Sequence, residues 1–315
     1  MGAFKDLLEK QEIIILDGAL GTELERQGYD VSGRLWSAKY LLENPQIIQD
    51  LHEDYVWAGS DIITTSSYQA SIPAFVEEGL SLDKAHEIFK ETVLLAQAAV
   101  KNVWGRLSLD EQNQHFYPLI AGSVGPYAAY LADGSEYTGS YHLSEEEFKD
   151  FHRPRIQALL DAGCDLLALE TIPNGAETEA LVHLLAEEFP QAEAYLSFTA
   201  QTASAISDGT LIEEVGRLAQ SSPQILAVGF NCTAPHLLVP LLEKLKQVCD
   251  KPLLAYPNSG EVYNVATNTW QDNPEQQLCL TDYSQLWKKQ GVQLFGGCCR
   301  TRPEDIRRLA GELRT

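Results

Sequence analysis

Asp165-Leu166-Leu167-Ala168-Leu169-Glu170-Thr171 is a short, continuously apolar run that stops at a carboxylate and a hydroxyl. A half-exposed strand would alternate apolar and polar residues. This one does not, so both of its faces are expected to be covered, as in a parallel sheet flanked by helices. Seven more runs of the same kind lie at 12–16, 61–65, 118–121, 194–198, 225–230, 252–255 and 292–295. Helical periodicity fills the intervals. Asn44-Pro45 opens a stretch carrying Ile47, Ile48, Leu51 and Tyr55, Ser81 precedes Leu82, His86, Phe89 and Val93, and Ser144 with Glu147 has capping-box spacing. Eight βα units in unbroken alternation predict an α/β protein with a single (β/α)₈ barrel domain over residues 1–315. A doubly wound open sheet is the alternative.

Length alone would allow about two domains at about 150 residues each. However, no Pro/Gly/Ser-rich linker, low-complexity tract or internal repeat divides the 315 residues. With 23 basic against 45 acidic residues the net charge is −22, which disfavours a phosphate-backbone partner, so no nucleic acid is expected. Apolar residues at 44% and charged residues at 22% are globular values and exclude disorder and coiled coil. No apolar run approaches the roughly 18 residues that span a bilayer, and no membrane association is expected. The start, MGAFKDLLEK, has neither a signal-peptide pattern nor a hydroxyl at position 6 for myristoylation, so a cytoplasmic protein is expected, as a monomer or weak dimer. Six cysteines are too sparse for a disulfide framework, and clustered ones point instead to metal or thiol chemistry.

In a barrel, function gathers at the carboxyl ends of the strands. Those windows hold Asp17-Gly18-Ala19, Thr65-Ser66-Ser67-Tyr68, Gly122-Ser123-Val124-Gly125-Pro126, Glu170-Thr171, Asn231-Cys232-Thr233, Tyr256-Pro257-Asn258-Ser259-Gly260 and Gly296-Gly297-Cys298-Cys299. Adjacent residues on a regular strand face opposite ways, so Cys298 and Cys299 can share one ion only if the chain bends. The two glycines before them are expected to supply that bend through backbone angles closed to other residues. With Cys232 at another strand end the set becomes three sulfurs and one open position, a credible Zn²⁺ site with Zn–S near about 2.3 Å. A vicinal disulfide, a redox thiol pair and two small core residues are the other readings. Cys164, Cys249 and Cys279 fall outside the windows and receive no role.

Asp17 and Glu170 follow apolar strands into the same mouth. An inward carboxylate there is costly unless paired, which favours a ligand cation such as an amino-acid ammonium, although Asp17 could instead cap the next helix. Asn231 is read first as a structural hydrogen-bonder and second as a substrate contact. Tyr127, Tyr130, Tyr137 and Tyr141 interleave with Asp133 and Glu136, and Trp36 and Tyr68 sit after two other strands. Lys and Arg are absent from 125–147, so this aromatic and acidic loop suits an ammonium or sulfonium, or is simply packed. His52-Glu53 lacks the second histidine of a metalloprotease helix, because Val56 stands there. Ala121-Gly122-Ser123-Val124-Gly125 is one residue from a nucleophile elbow and gives only a weak serine-hydrolase alternative. No dinucleotide or triphosphate motif occurs.

Taken together, Asp17-Gly18-Ala19, Gly229-Phe230-Asn231-Cys232 and Gly296-Gly297-Cys298-Cys299-Arg300-Thr301 resemble the homocysteine S-methyltransferases over essentially the whole chain. Leu35-Trp36-Ser37-Ala38, the segment 121–141 with Ser135-Glu136-Tyr137, and Tyr256-Pro257-Asn258-Ser259-Gly260-Glu261 are most similar to the branch that uses S-methylmethionine. The resemblance implies a (β/α)₈ barrel with Zn²⁺ held by Cys232, Cys298 and Cys299. It also implies that Asp17 and Glu170 hold L-homocysteine, with the backbone at Gly18 near its carboxylate; Asn231, Trp36 and Tyr68 are further substrate-contact candidates from their strand-end positions alone. The chain ends soon after its last expected helix, which makes betaine and cobalamin donors less expected than S-methylmethionine or S-adenosylmethionine.

The implied activity is methyl transfer to homocysteine in methionine synthesis or salvage. A free thiol with pKa near about 8.5 is only a few per cent thiolate at pH 7, and coordination at the open position would remove that limit. A non-catalytic zinc or thiol-redox barrel is the alternative function.

Overall fold

The structure is a computed structural model that describes residues 2–31, 36–264, 269–271 and 279–314. Eight strands form one sheet: β1 (Ile14–Ile15), β2 (Ile62–Thr64), β3 (Leu119–Val124), β4 (Leu166–Ile172), β5 (Ala194–Phe198), β6 (Ile225–Asn231), β7 (Leu253–Tyr256) and β10 (Val292–Phe295). Every pairing in it is parallel. β1 pairs with β10 on one side, and Leu16 bridges to Ile62 on the other, so the sheet closes on itself as a barrel. The closure rules out the open doubly wound alternative. A small antiparallel hairpin, β8 (Val262–Asn264) and β9 (Thr269–Gln271), sits between β7 and β10. All eight expected strands form.

Burial on both faces has a period of two. Ile14, Ile62, Leu119, Ala121, Leu166, Ala168, Tyr195, Ala227, Leu254 and Leu294 fill the barrel interior, while Ile15, Ile63, Ile120, Leu167, Leu169, Val228 and Phe230 face outward onto the helices. Phe4 and Leu7, from the helix Ala3–Lys10, are fully buried in the interior cluster and plug its amino-terminal end. The helices begin where the sequence signals them. Ser144 and Glu147 make a reciprocal capping box at Glu145–Asp161, and the Ser81 side chain accepts from Lys84 N at Leu82–Trp104. Pro45 opens Pro45–Ala58, with no side-chain cap from Asn44. Among the described residues no helix is long and apolar enough to cross a membrane.

Candidate active site at the carboxyl end of the barrel

Continuing the interior phase upward by one step replaces the apolar layer with a polar one. Ala121 gives way to Ser123, Ala168 to Glu170, Tyr195 to Ser197, and Leu254 to Tyr256, with Asn231 at the same level on β6. These side chains are bonded in series. Ser123 Oγ donates to Glu170 Oε1, and Tyr256 OH donates to Glu170 Oε2 at 3.2 Å. Ser197 Oγ lies against Tyr256 OH and donates to Asn231 Oδ1 at 2.9 Å. Asn231 Nδ2 in turn donates to Thr171 Oγ1 at 2.8 Å and points at Cys298 Sγ at 3.7 Å. The belt thus runs from Glu170 to a cysteine without a break.

Above the belt lies a cavity of about 810 Å³, within the range of small-molecule sites. Asp17, Gly18, Glu170, Tyr68, Cys232, Cys298 and Cys299 all line it. The three sulfurs lie within 4.8 Å of one another, with Cys232 Sγ 3.5 Å from Cys299 Sγ. Cys232 and Cys298 are joined as a disulfide with their Cα atoms 5.4 Å apart. The bond therefore crosses between two strand ends and is not the vicinal pairing of Cys298 with Cys299. Burial, and after it the Glu136 carboxylate, pushes the Cys299 thiol up to about 12. Three convergent sulfurs beside a cavity are a donor set that fits a soft, tetrahedral ion once the disulfide is reduced.

The bend at the cysteines has a different origin from the one expected. Gly296 and Gly297 do not adopt positive φ, whereas Cys232 at φ 46° and Arg300 at φ 67° do. The two glycines are there for space. A Cβ on Gly296 would stand 2.7 Å from Leu16 Cβ, and one on Gly297 would stand 2.3 Å from Thr301 Oγ1. Gly18 is held the same way, since a Cβ there would meet the Tyr55 ring at 2.8 Å. Tyr55 OH donates to Ala19 O at 2.6 Å and to Thr301 O at 3.3 Å, and so ties the turn after β1 to the cysteine turn after β10.

Asp17 is not a helix cap. Its carboxylate accepts from Thr64 N at 2.7 Å and Thr64 Oγ1 at 2.9 Å, while the helix Gly21–Arg26 has no side-chain cap. Burial pushes Asp17 up to about 7 against the Thr64 bonds, with the Glu170 charge adding to the rise. Burial likewise pushes Glu170 up to about 7 against the bonds from Ser123 and Tyr256. Every described donor to the pair is neutral, and among the described residues no Lys or Arg lines the cavity. The pair thus has no cationic partner among the described residues.

The structure separates the remaining candidates. Asn231 is fully buried beneath the cavity, where it also accepts from Thr171 N at 2.8 Å, and it does not line the cavity wall. The side chain of Trp36, at the start of the 3₁₀ turn Trp36–Lys39, lies outside the described residues. Tyr127, Tyr130 and Tyr141 turn away to pack with Phe148 and Phe151, leaving Asp133, Glu136 and Tyr137 of that loop on the cavity. Ser123 is no nucleophile, because it is fully buried and its hydroxyl is spent on Glu170. Sequence reasoning missed Thr64, Ser197 and Tyr256 as supports, although the period of two on their strands placed them on the inner face.

Comparison with known proteins agrees with this geometry. Residues 14–313 match the family model described as homocysteine S-methyltransferase. The chain is 46% identical over 303 residues to the homocysteine S-methyltransferase of Escherichia coli, with 96% of both chains covered. It is 43% identical to homocysteine S-methyltransferase YbgG of Bacillus subtilis, covering 100% of this chain and 99% of that one. Crystal structures of the Escherichia coli homocysteine methyltransferase MmuM in oxidized and metallated forms superpose with a TM-score of 0.86 at 44% identity, covering 99% of both chains. A barrel whose mouth brings three cysteines and two carboxylates to one cavity, with this likeness along nearly its full length, belongs to the homocysteine S-methyltransferase family.

Proposed function

We propose that the protein transfers a methyl group from S-methylmethionine, or less efficiently from S-adenosylmethionine, to the sulfur of L-homocysteine, forming methionine, with zinc held by Cys232, Cys298 and Cys299. The observation that carries this reading is the meeting of three sulfurs within 4.8 Å at a cavity that also holds Asp17 and Glu170, with no Lys or Arg among its described lining residues. When bound by three thiolates, zinc supplies a fourth position at which a substrate sulfur is held deprotonated and nucleophilic. Asp17 and Glu170 receive the homocysteine ammonium, and the backbone at Gly18 lies beside its carboxylate. Thr64 holds Asp17, Ser123 and Tyr256 hold Glu170, and Asn231 steadies Cys298.

In the transfer the donor's S–CH₃ bond breaks with its electron pair passing to the donor sulfur, and a new C–S bond forms on homocysteine, whose thiol proton goes to solvent. The donor sulfur leaves neutral, so no general acid is needed. In a reducing cytoplasm the Cys232–Cys298 bond is opened, and the role assigned is methionine synthesis or salvage by a monomer or weak dimer. A thiol-redox or zinc-storage protein is the second reading, which the same disulfide favours.

The test uses reduced, zinc-loaded protein. Zinc per chain and methionine formation are measured for the wild type and Cys298→Ser, and X-ray absorption follows the zinc as homocysteine is added. Catalysis predicts one more sulfur neighbour and loss of turnover in the variant. An unchanged coordination sphere with no methionine formed would leave the storage reading standing.

A further inference from the structure

One cluster of buried charge lies outside the cavity and has no part in the chemistry above. Arg155 and His152, on the helix Glu145–Asp161, and Glu177, on the helix Gly175–Glu188, are each 1% exposed or less, and none of them lines the cavity. Arg155 Nη2 stands 2.6 Å from His152 Nδ1, and His152 Nε2 stands 2.7 Å from Glu177 Oε1. A guanidinium can only donate, so Nδ1 accepts, and the imidazole carries its proton on Nε2, which donates to Glu177. Burial, and after it the Arg155 charge, hold His152 down at about 4. The ring is therefore a neutral bridge between a cation and a carboxylate.

Among the described residues, the side-chain hydrogen bonds that leave this triad all end on one segment. Arg155 donates to Gly125 O, Tyr127 N donates to Glu177 Oε1 at 2.6 Å, and Tyr141 OH donates to Glu177 Oε2. Positions 125, 127 and 141 are the two ends of the loop between β3 and the helix Glu145–Asp161, and Ala132, Asp133, Gly134, Glu136 and Tyr137 in its middle line the cavity. Asn174, which caps the helix bearing Glu177, donates from Nδ2 to Gly139 O at 3.1 Å and to Tyr141 O at 3.2 Å. Gly125 passes its position on, since a Cβ there would stand 2.6 Å from Tyr68 O, and Tyr68 also lines the cavity. A buried ion pair gains little net stability over well-packed apolar residues, whereas a fully bonded polar network fixes where a chain runs.

Resting on the methyltransferase reading above, we infer that Arg155, His152 and Glu177 are positioning residues, a buried clamp that holds both ends of the 125–141 loop and thereby sets the placement of the loop's cavity face for methyl transfer.

The carboxylates assigned to homocysteine are held separately. Asp17 takes its bonds from Thr64, and Glu170 from Ser123 and Tyr256, so a slack loop leaves that pair in place. Loosening the clamp therefore acts on the methyl donor, and only through the loop. His152 is the place to cut it, because glutamine there keeps one acceptor for Arg155 and one donor for Glu177, whereas alanine keeps neither.

The test compares His152→Ala, His152→Gln and Tyr141→Phe with wild type as reduced, zinc-loaded protein, by two-substrate kinetics with S-methylmethionine and L-homocysteine and by amide hydrogen exchange. Zinc content and thermal unfolding confirm that the variants are intact. His152→Ala should lower kcat/KM for the donor by about ten- to a hundredfold, with the homocysteine KM within about twofold of wild type. Exchange should quicken at the Tyr127 amide and through 132–141, and His152→Gln should recover most of both losses. Tyr141→Phe keeps the ring and deletes one bond of the clamp, so it should give a smaller loss of about three- to tenfold, and it carries the test if His152→Ala does not fold. Unchanged donor kinetics in folded variants, an equal fall for both substrates, a glutamine variant no better than alanine, or exchange that rises as much in β3 and β4 as in the loop overturns the clamp. Loop exchange that responds to His152 in a protein forming no methionine would remove the methyltransferase reading and leave the clamp standing.

Discussion

Asp61 and Asp17 stand at opposite ends of the barrel, and the fold treats them in opposite ways. Asp61, at the start of β2, accepts from Ile15 N at 2.7 Å and pairs with Arg314, a cation that opposes the rise burial would cause. Asp165, at the start of β4, accepts from Ile120 N at 2.8 Å. At the mouth, Asp17 and Glu170 have only neutral donors and are pushed up to about 7. Backbone strain divides the same way. The described non-glycine residues at positive φ are Ala132, Thr171, Cys232 and Arg300, each on the cavity or next to a residue that lines it. The amino-terminal end is satisfied and serves stability, whereas the mouth keeps unmet charge and strained backbone for a ligand.

The largest effect separating the two ends is expected at the sulfurs. Cys298→Ser should lower methionine formation by more than about 100-fold, with zinc lost in parallel, while unfolding of the reduced, metal-free protein barely changes. Next comes the carboxylate pair. Glu170→Gln or Asp17→Asn should raise the homocysteine KM by about 10- to 100-fold, with the donor KM little changed, as read from two-substrate kinetics. A rise in both constants would show that the mouth is a single polar pocket and not two subsites.

The pH dependence follows from the raised carboxylates. Below about 7 Asp17 and Glu170 are protonated and cannot pair with an ammonium, so the homocysteine KM should fall as pH rises through about 7. Their effect on stability has the opposite sense. The folded metal-free protein binds more protons than the unfolded chain between the ordinary carboxylate values of 3.8 and 4.5 and about 7, so their contribution to stability should decline as pH rises across that window. Denaturant melts of wild type and Asp17→Asn at several pH values check this. The smallest catalytic effect is expected at the other end. Asp61→Asn should cost about 1–3 kcal/mol in denaturant unfolding and leave kcat/KM unchanged.

Much of the frame was legible because it is local. Apolar runs and cap residues record which faces are buried and where helices begin, and every expected strand forms. The aromatic loop shows the limit of such reading. Tyr127 and Tyr141 are as well suited to a cation as Tyr137 by type alone, yet Phe148 and Phe151 on the following helix claim them. Ser123 was misleading in the same way, since its neighbours resemble a nucleophile elbow and only β4 reveals its partner.

By itself the sequence determined the barrel, the three cysteines at strand ends and the two carboxylates at the mouth, since each depends on residue type and period along one segment. Tertiary structure alone decided that Cys232 bonds to Cys298 and not to a neighbour, that Gly296 and Gly297 are needed for clearance and not for φ, that Asn231 supports from beneath, and that Glu136 and Tyr137 line the cavity while Tyr127 and Tyr141 do not. Those outcomes follow from barrel closure and strand register, which bring together residues far apart in the chain.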